Sequence, residues 1–382
     1  MPINTDNAVL KQKIYEFRNY VRQGIKDKAA KLEKELIKTL DLGNQPNSVC
    51  SILFQLFKIT DLSLNGKVEE ASKSLSLLQL AVHNSKNTEC LYYFYRNLGY
   101  IQFLQQNYNE SKMSYGIALQ ILNEFDESDE ISVTTEEKTS LYMSLAVSNS
   151  NLELPYEAIL SLNDYALTQN NNNLETDIVY QYLLGLNYAK INNHDRANAA
   201  LHKCLLAAES ANDKIYVGRA TFAFGFLNKQ TKLYRNALEY FDKAESYFVK
   251  GSADYLANLY QKALCNILLR DYGKADEMIQ YAYSIVEKND NLFYPAFTAL
   301  ENIIVIYNSS KNNIKKSIDF LEFISIPYFI SMSNNCEALD LCELLEQYYD
   351  EKKHSVGVVR MRAAALKVHK KLLAYEAFGG NV

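Results

Sequence analysis

The chain has 382 residues, 48% of them hydrophobic and 22% charged, and a formal net charge of −5. That length allows several domains or one long repeat array, and the mild acidity gives no general argument for nucleic acid. With 13 Gly, 5 Pro, 29 Tyr and no Trp it reads as almost wholly helical, its tyrosine bodies packing while their hydroxyls reach water. No apolar run approaches a membrane span, and Met1–Leu10 lacks the apolar core of a secretory signal. The cysteines (Cys50, Cys90, Cys204, Cys265, Cys336, Cys342) are scattered without C-x-x-C spacing, so a reduced cytoplasmic protein with buried thiols is expected.

In chain order, Leu10, Ile14, Phe17, Val21, Ile25, Ala29, Leu32 and Leu36 recur at spacings of three and four, predicting one long helix or two over 8–39. The first 42 residues hold nine Lys/Arg against six Asp/Glu. This reads as a solvated helix face, with an acidic partner as the second reading. The run Asp41–Ser48 breaks the helix, with Gly43 suited to a C-cap and Asn47 or Ser48 to the next N-cap. A second segment carries Val49, Ile52, Leu53, Leu56, Phe57 and Leu64 to the break Asn65-Gly66. A third, about 67–83, carries Val68, Ala71, Leu75, Leu78 and Leu80. Residues 1–84 are therefore expected to form an N-terminal helical bundle.

From residue 88 small residues recur twelve apart: Gly99 and Ser111, Ala146 and Ala158, Gly185 and Ala197, Gly225 and Ala237, Ala263 and Ala275. Ala118, Cys204, Ala244 and Ala282 follow seven residues after the second members. Tetratricopeptide (TPR) repeats need small residues at such points because paired helices cross closely there. The predicted pairs fall near 88–125, 136–169, 176–211, 214–249, 254–287 and 293–325, with a less regular region at 327–378. The expected fold is all-α, an N-terminal helical bundle followed by a TPR-like helical-repeat superhelix over 88–378. Such an array is usually a binding surface.

No Walker loop, GxGxxG or HExxH occurs, the five histidines are dispersed, and the acidic run Asp126–Glu130 reads as a solvated linker. No metal site is expected. The inner positions of each first helix hold Tyr93, Arg96, Tyr100 and Phe103, then Tyr182 and Leu186, Phe222 and Phe226, and Tyr260 and Leu264. Asn97, Ser144, Asn187, Gln261 and Asn302 neighbour them. An aromatic groove with amides able to pair a peptide backbone suits a short extended peptide. The plainer alternative is packing between adjacent helices.

The bundle, the array and the tail together resemble the Rap proteins, cytoplasmic regulators controlled by secreted and re-imported Phr peptides. Lys13-Ile-Tyr-Glu-Phe17 resembles the family's opening-helix KINEW, and Gly185-Leu-Asn-Tyr188 its repeat containing GNYDD. Ala237-Leu-Glu-Tyr-Phe-Asp-Lys-Ala244 resembles AVEHFQKA, and Leu366–Phe378 the closing helix. The resemblance implies a partner bound by the bundle: a response regulator that is dephosphorylated, or a transcription factor sequestered without chemistry. It places the phosphatase glutamine on Gln45, where the side chain would orient a water in line with the partner's aspartyl phosphate. The partner would supply Mg2+, and the chain would need no cofactor of its own. This sequence departs from the family in Leu42-Gly43-Asn44 and Pro46 around that glutamine. It departs again in Ala223, where members often carry a peptide-gripping Asn; Asn97, Gln261 or Asn187 would substitute. A peptide-sensing transcription factor of the PlcR and PrgX type is a further alternative, but residues 1–85 lack a helix-turn-helix pattern, so neither nucleic acid nor membrane is an expected partner.

Overall fold

The computed structural model describes residues 5–40, 48–125, 135–169, 174–288, 290, 292–308 and 311–372, and no strand occurs among them. The helices are α1 (Thr5–Arg22), α2 (Lys26–Thr39), α3 (Val49–Leu64), α4 (Val68–Ser85), α5 (Thr88–Leu104), α6 (Tyr108–Phe125), α7 (Thr135–Asn151) and α8 (Pro155–Thr168). There follow α9 (Leu174–Lys190), α10 (His194–Ser210), α11 (Lys214–Gln230), α12 (Tyr234–Glu245), α13 (Ala253–Leu268), α14 (Tyr272–Ile285) and α15 (Phe293–Asn308). α16 (Lys311–Phe320) runs through a π-turn (Leu321–Ser325) into α17 (Ile326–Ser331), and α18 (Asn335–Glu351) and α19 (Ser355–Leu372) close the described chain.

One turn design recurs. Three residues separate the helices, and the middle one is left-handed: Gly24, Gly66, Gln106, Asn192, Asn212, Lys232, Arg270, Ser333 and Lys353, with φ between 54° and 77°. The next N–H then bonds the carbonyl five residues back, as in Ile25 to Tyr20 (2.9 Å), Asn193 to Tyr188 (2.9 Å) and His354 to Tyr349 (2.8 Å). These bonds satisfy carbonyls that the helix end leaves open. The turn at Gly24 divides the predicted 8–39 segment into α1 and α2. Ser48 caps α3, its Oγ accepting from the Ser51 N–H.

The region 327–378, expected to be less regular, contains the regular pair α18–α19, joined by the same turn. Its crossing differs from the others: Gly357 lies where a Cβ would meet the Tyr349 ring at 2.4 Å. Upstream, Pro327 lies just past the π-turn, where the Ile326 N–H bonds the Leu321 carbonyl. The wider turn accommodates a residue that lacks an N–H and would clash with the preceding turn of an α-helix.

The chain divides into two compact units, residues 1–152 with 163–170, and residues 153–162 with 171–382. In the first, Ile14, Phe17 and Val21 of α1 share one apolar cluster with α3 (Ile52 to Phe57), α4 (Leu75, Val82) and α5 (Cys90, Tyr92, Phe94). Packing therefore continues across the expected 84–88 boundary. In the second, the largest cluster runs from Tyr255 to Val368, while smaller ones hold α9–α11 and the Ala237–Phe241–Cys265 contact. No described helix is long and apolar enough to cross a membrane.

Candidate functional site

In the first unit α1 has two working faces. Beside its apolar side, Lys11, Tyr15, Arg18 and Arg22 line up at helical spacing and meet two buried carboxylates. Lys11 Nζ lies 2.8 Å from Glu89, and the Tyr15 hydroxyl also donates to Glu89. Glu137, 2% exposed, is held by Arg18, by Arg22 at 3.2 Å, by Arg96 at 3.6 Å and by the Tyr92 hydroxyl at 2.5 Å. Burial, then Arg18 and Arg96, lower the Arg22 pKa from its ordinary value, as expected where three guanidinium groups share one acid. Part of the basic stretch read as a solvated face thus pairs with the chain's own acids. Lys28, Lys31, Lys34 and Lys38 of α2 are exposed.

Arg96 belongs to this cluster. Asn97, 2% exposed, donates to the carbonyls of Leu56 (3.1 Å) and Tyr93 (3.0 Å) and accepts from Thr60 Oγ1 (2.7 Å). Its amide fastens α5 to α3 and is fully used, which corrects its expected place in a groove. Tyr100 is half-buried. Gln45 lies outside the described residues.

The second unit has a partly open chamber of about 470 Å³. Apolar wall comes from Tyr156, Ile191, Phe226, Leu268 and Leu339, and charged wall from Glu153, Lys190, Lys229, Lys232, Asp340 and Glu343. Lys229 Nζ, almost completely buried, is 3.0 Å from both carboxylate oxygens of Asp340 and lies over the Phe226 ring. Burial disfavours the Lys229 charge, but Asp340 outweighs it and the ammonium titrates above its ordinary range. Lys232 reaches Glu343 at 3.6 Å, and Lys190 reaches Glu153 at 3.8 Å. Glu153 also accepts from the N–H groups of Asn335 and Cys336 at the start of α18. Beside them, Glu337 is raised to about 7 by burial and then by the Glu153 charge.

Of the expected peptide-binding residues, Phe226 lines this chamber. Tyr260 and Leu264 do not line a groove. They are 4% and 1% exposed, sealed in the cluster shared by α13, α15 and α18 because their helix is covered on that face. Phe222 packs on Phe241 at 5.4 Å and Tyr182 on Tyr216 at 5.6 Å, as adjacent-helix packing requires, while Leu186 is half-buried. Asn187 and Asn302 donate to the carbonyls one turn back, Leu183 (2.8 Å) and Thr298 (2.9 Å). Gln261 is 6% exposed and its Oε1 has no hydrogen-bond partner.

The chamber opens one helical turn beyond the expected positions, at Lys190 after Leu186, Lys229 and Gln230 after Phe226, and Leu268 after Leu264. The charged residues were missed: a lysine in a last helical turn reads as a partner for the helix dipole, and nothing local ties Glu153 to Asn335. Among the described residues no three His, Cys, Asp or Glu side chains are grouped to hold a metal ion.

No sequence-family profile and no curated protein matches the chain. Solved structures do match its fold. A Rap protein complexed with competence and sporulation factor superposes with a TM-score of 0.73 at 17% identity, over 96% of this chain and 99% of that one. NprR in complex with its cognate peptide NprX gives 0.70 at 17% identity, over 94% and 98%. Aspartyl phosphate phosphatase F from Bacillus subtilis gives 0.57 at 18% identity, over 94% and 93%. The chain therefore has the all-α, TPR-like fold of the Rap and NprR proteins.

Proposed function

We propose that the chain is a cytoplasmic Rap-like regulator. A short, re-imported signalling peptide occupies the chamber of the second unit, and the N-terminal helices bind a response regulator and remove its aspartyl phosphate. The chamber carries the peptide reading. Its volume of about 470 Å³ is in the range of small-ligand sites, about 300–1,000 Å³. Gln230 in its wall leaves Oε1 without a partner. An unmade buried hydrogen bond costs about 1–3 kcal/mol, and an extended peptide offers the alternating N–H and C=O groups that would make it. Solved structures with this fold include one holding its cognate peptide and one in complex with the Phr* peptide.

The regulator reading is supported by the exposed lysines of α2, a suitable face for an acidic partner, and by Gln45 shortly after that helix. An amide there needs only to orient water, because the phosphorylated regulator brings Mg2+ and the leaving group. Two measurements test the proposal. Anisotropy with labelled pentapeptide pools is expected to show binding that Phe226→Ala weakens at least tenfold. Single-turnover phosphate loss from a panel of phosphorylated response regulators is expected to be fast with the wild type and slow with Gln45→Ala. Tight binding to one regulator without accelerated phosphate loss would make the protein a sequestering one and end the catalytic role of Gln45.

A further inference from the structure

The chamber has two sides held by different forces. On one, α18 and α19 belong to a continuous apolar cluster with α13, α14 and α15, through Leu341, Leu344, Leu345, Met361 and Val368. On the other, α9 and α11 have small apolar clusters of their own, which include no residue of α18. What reaches α18 across the chamber is polar. Glu153 binds the first N–H groups of α18, Lys229 pairs with Asp340, and Lys232 pairs with Glu343. Lys229 stands in the last turn of α11 and Lys232 in the turn that follows, opposite Asp340 and Glu343 of α18, so the end of α11 and the middle of α18 face one another as a two-rung ladder. Between the two sides lies the seven-residue connection 246–252, where Gly251 has φ +78° and open space around its α-carbon.

We infer that α18 is a jaw of the chamber, moving with the helices it packs on, and that the Glu153, Lys229 and Lys232 contacts latch it shut over a bound ligand. Opening breaks ion pairs and hydrogen bonds and parts no apolar cluster shared between α18 and α9 or α11, so the latch yields without unfolding either side. Apolar packing on one flank and ion pairs on the other is the arrangement this requires.

The latch also responds to pH. Two carboxylates compete for one helix start: Glu153 accepts from the Asn335 and Cys336 N–H groups, and Glu337 stands beside it. Facing Glu337 are Glu153, Asp340 and Cys336, with Tyr260 of α13 and Lys229 of α11; Lys190 of α9 stands against Glu153 and Cys336. With the closed-state pKa of Glu337 at about 7 and the opened group near its ordinary value, closing takes up a proton. The contribution is complete below the ordinary carboxylate range and is lost as pH rises through about 7, after which it is flat.

The inference rests on the chamber being the ligand site, but its test uses the full chain without ligand and so is decided whether or not a peptide binds. Amide hydrogen exchange of Asn335 and Cys336, whose N–H groups Glu153 accepts from, corrected for intrinsic rates, is followed from pH 5.0 to 8.5 with α15 as reference. Wild-type protection is expected to fall by up to about tenfold per pH unit toward pH 7 and then level. Glu337→Gln is expected to hold its low-pH protection throughout. Lys229→Met is expected to lose protection at Asn335 and Cys336 at every pH while the later amides of α18 and those of α15 stay protected, which separates an opened jaw from an unfolded chain. Protection at Asn335 and Cys336 that follows α15 in all three proteins, with no dependence on pH, would overturn the jaw.

Discussion

Gly225 has no side chain because Phe241 fills the space for one: a Cβ there would lie 2.5 Å from the Phe241 ring. Gly116 and Gly273 are also helical, yet a Cβ at either meets nothing within 4 Å. The same substitution should therefore act with opposite signs. Gly225→Ala forces the ring and α12 outward, an overpacking cost of about 1–3 kcal/mol that outweighs the helix-propensity gain. Gly116→Ala and Gly273→Ala keep only that gain, about 0.5–1 kcal/mol. Urea midpoints are expected to fall for the first and rise for the other two, and a rise for all three would show that the crossing at Gly225 is not tight. Such glycines are what made the repeat visible in sequence. The left-handed turn positions were hidden because Gln106, Lys232, Arg270, Ser333 and Lys353 occupy them without glycine's signature.

α1 is an element whose apolar pattern was legible and whose polar face was not. Ile14, Phe17 and Val21 announce an amphipathic helix, and they pack as that pattern requires. Nothing near Arg18 or Arg22 in sequence points to Glu137, more than a hundred residues away, so the basic face reads as solvated. The chamber was obscured for the same reason, since Glu153 and α18 meet only after the intervening repeats have formed. The last pair was obscured by size: Glu346 and Val358 stand twelve apart where smaller residues mark other crossings, and the close contact shifts to Gly357. For α1 the consequence is testable. Glu137→Gln leaves Arg18, Arg22 and Arg96 facing one another without a carboxylate, and removing one partner of a buried ion pair costs about 3–5 kcal/mol. Amide exchange in α1 is expected to accelerate sharply, and more than with Arg22→Ala, whose side chain is about one-third exposed and leaves two arginines on Glu137. Equal, small changes in both variants would mean that the apolar face alone holds the helix.

At the scale of the whole molecule, the thiols report on each unit separately. All six cysteines are free, and burial pushes Cys90, Cys204, Cys265 and Cys342 up to about 12, so little reactive thiolate forms near neutral pH. Cys90 is in the apolar cluster of the first unit and Cys342 in the largest cluster of the second. A chain of this length with a core in each unit is not bound to two-state unfolding. Pulsed alkylation along a urea series, read peptide by peptide, is expected to give Cys90 and Cys342 different midpoints. A single shared midpoint would show that the units unfold as one. Ligand linkage sharpens the experiment: a peptide at a hundred times its Kd stabilises the unit that binds it by about 2.7 kcal/mol. If the chamber is the ligand site, saturating peptide moves the Cys265 and Cys342 midpoints upward and leaves Cys90 where it was. A shift confined to Cys90 would put the ligand in the first unit and refute the chamber.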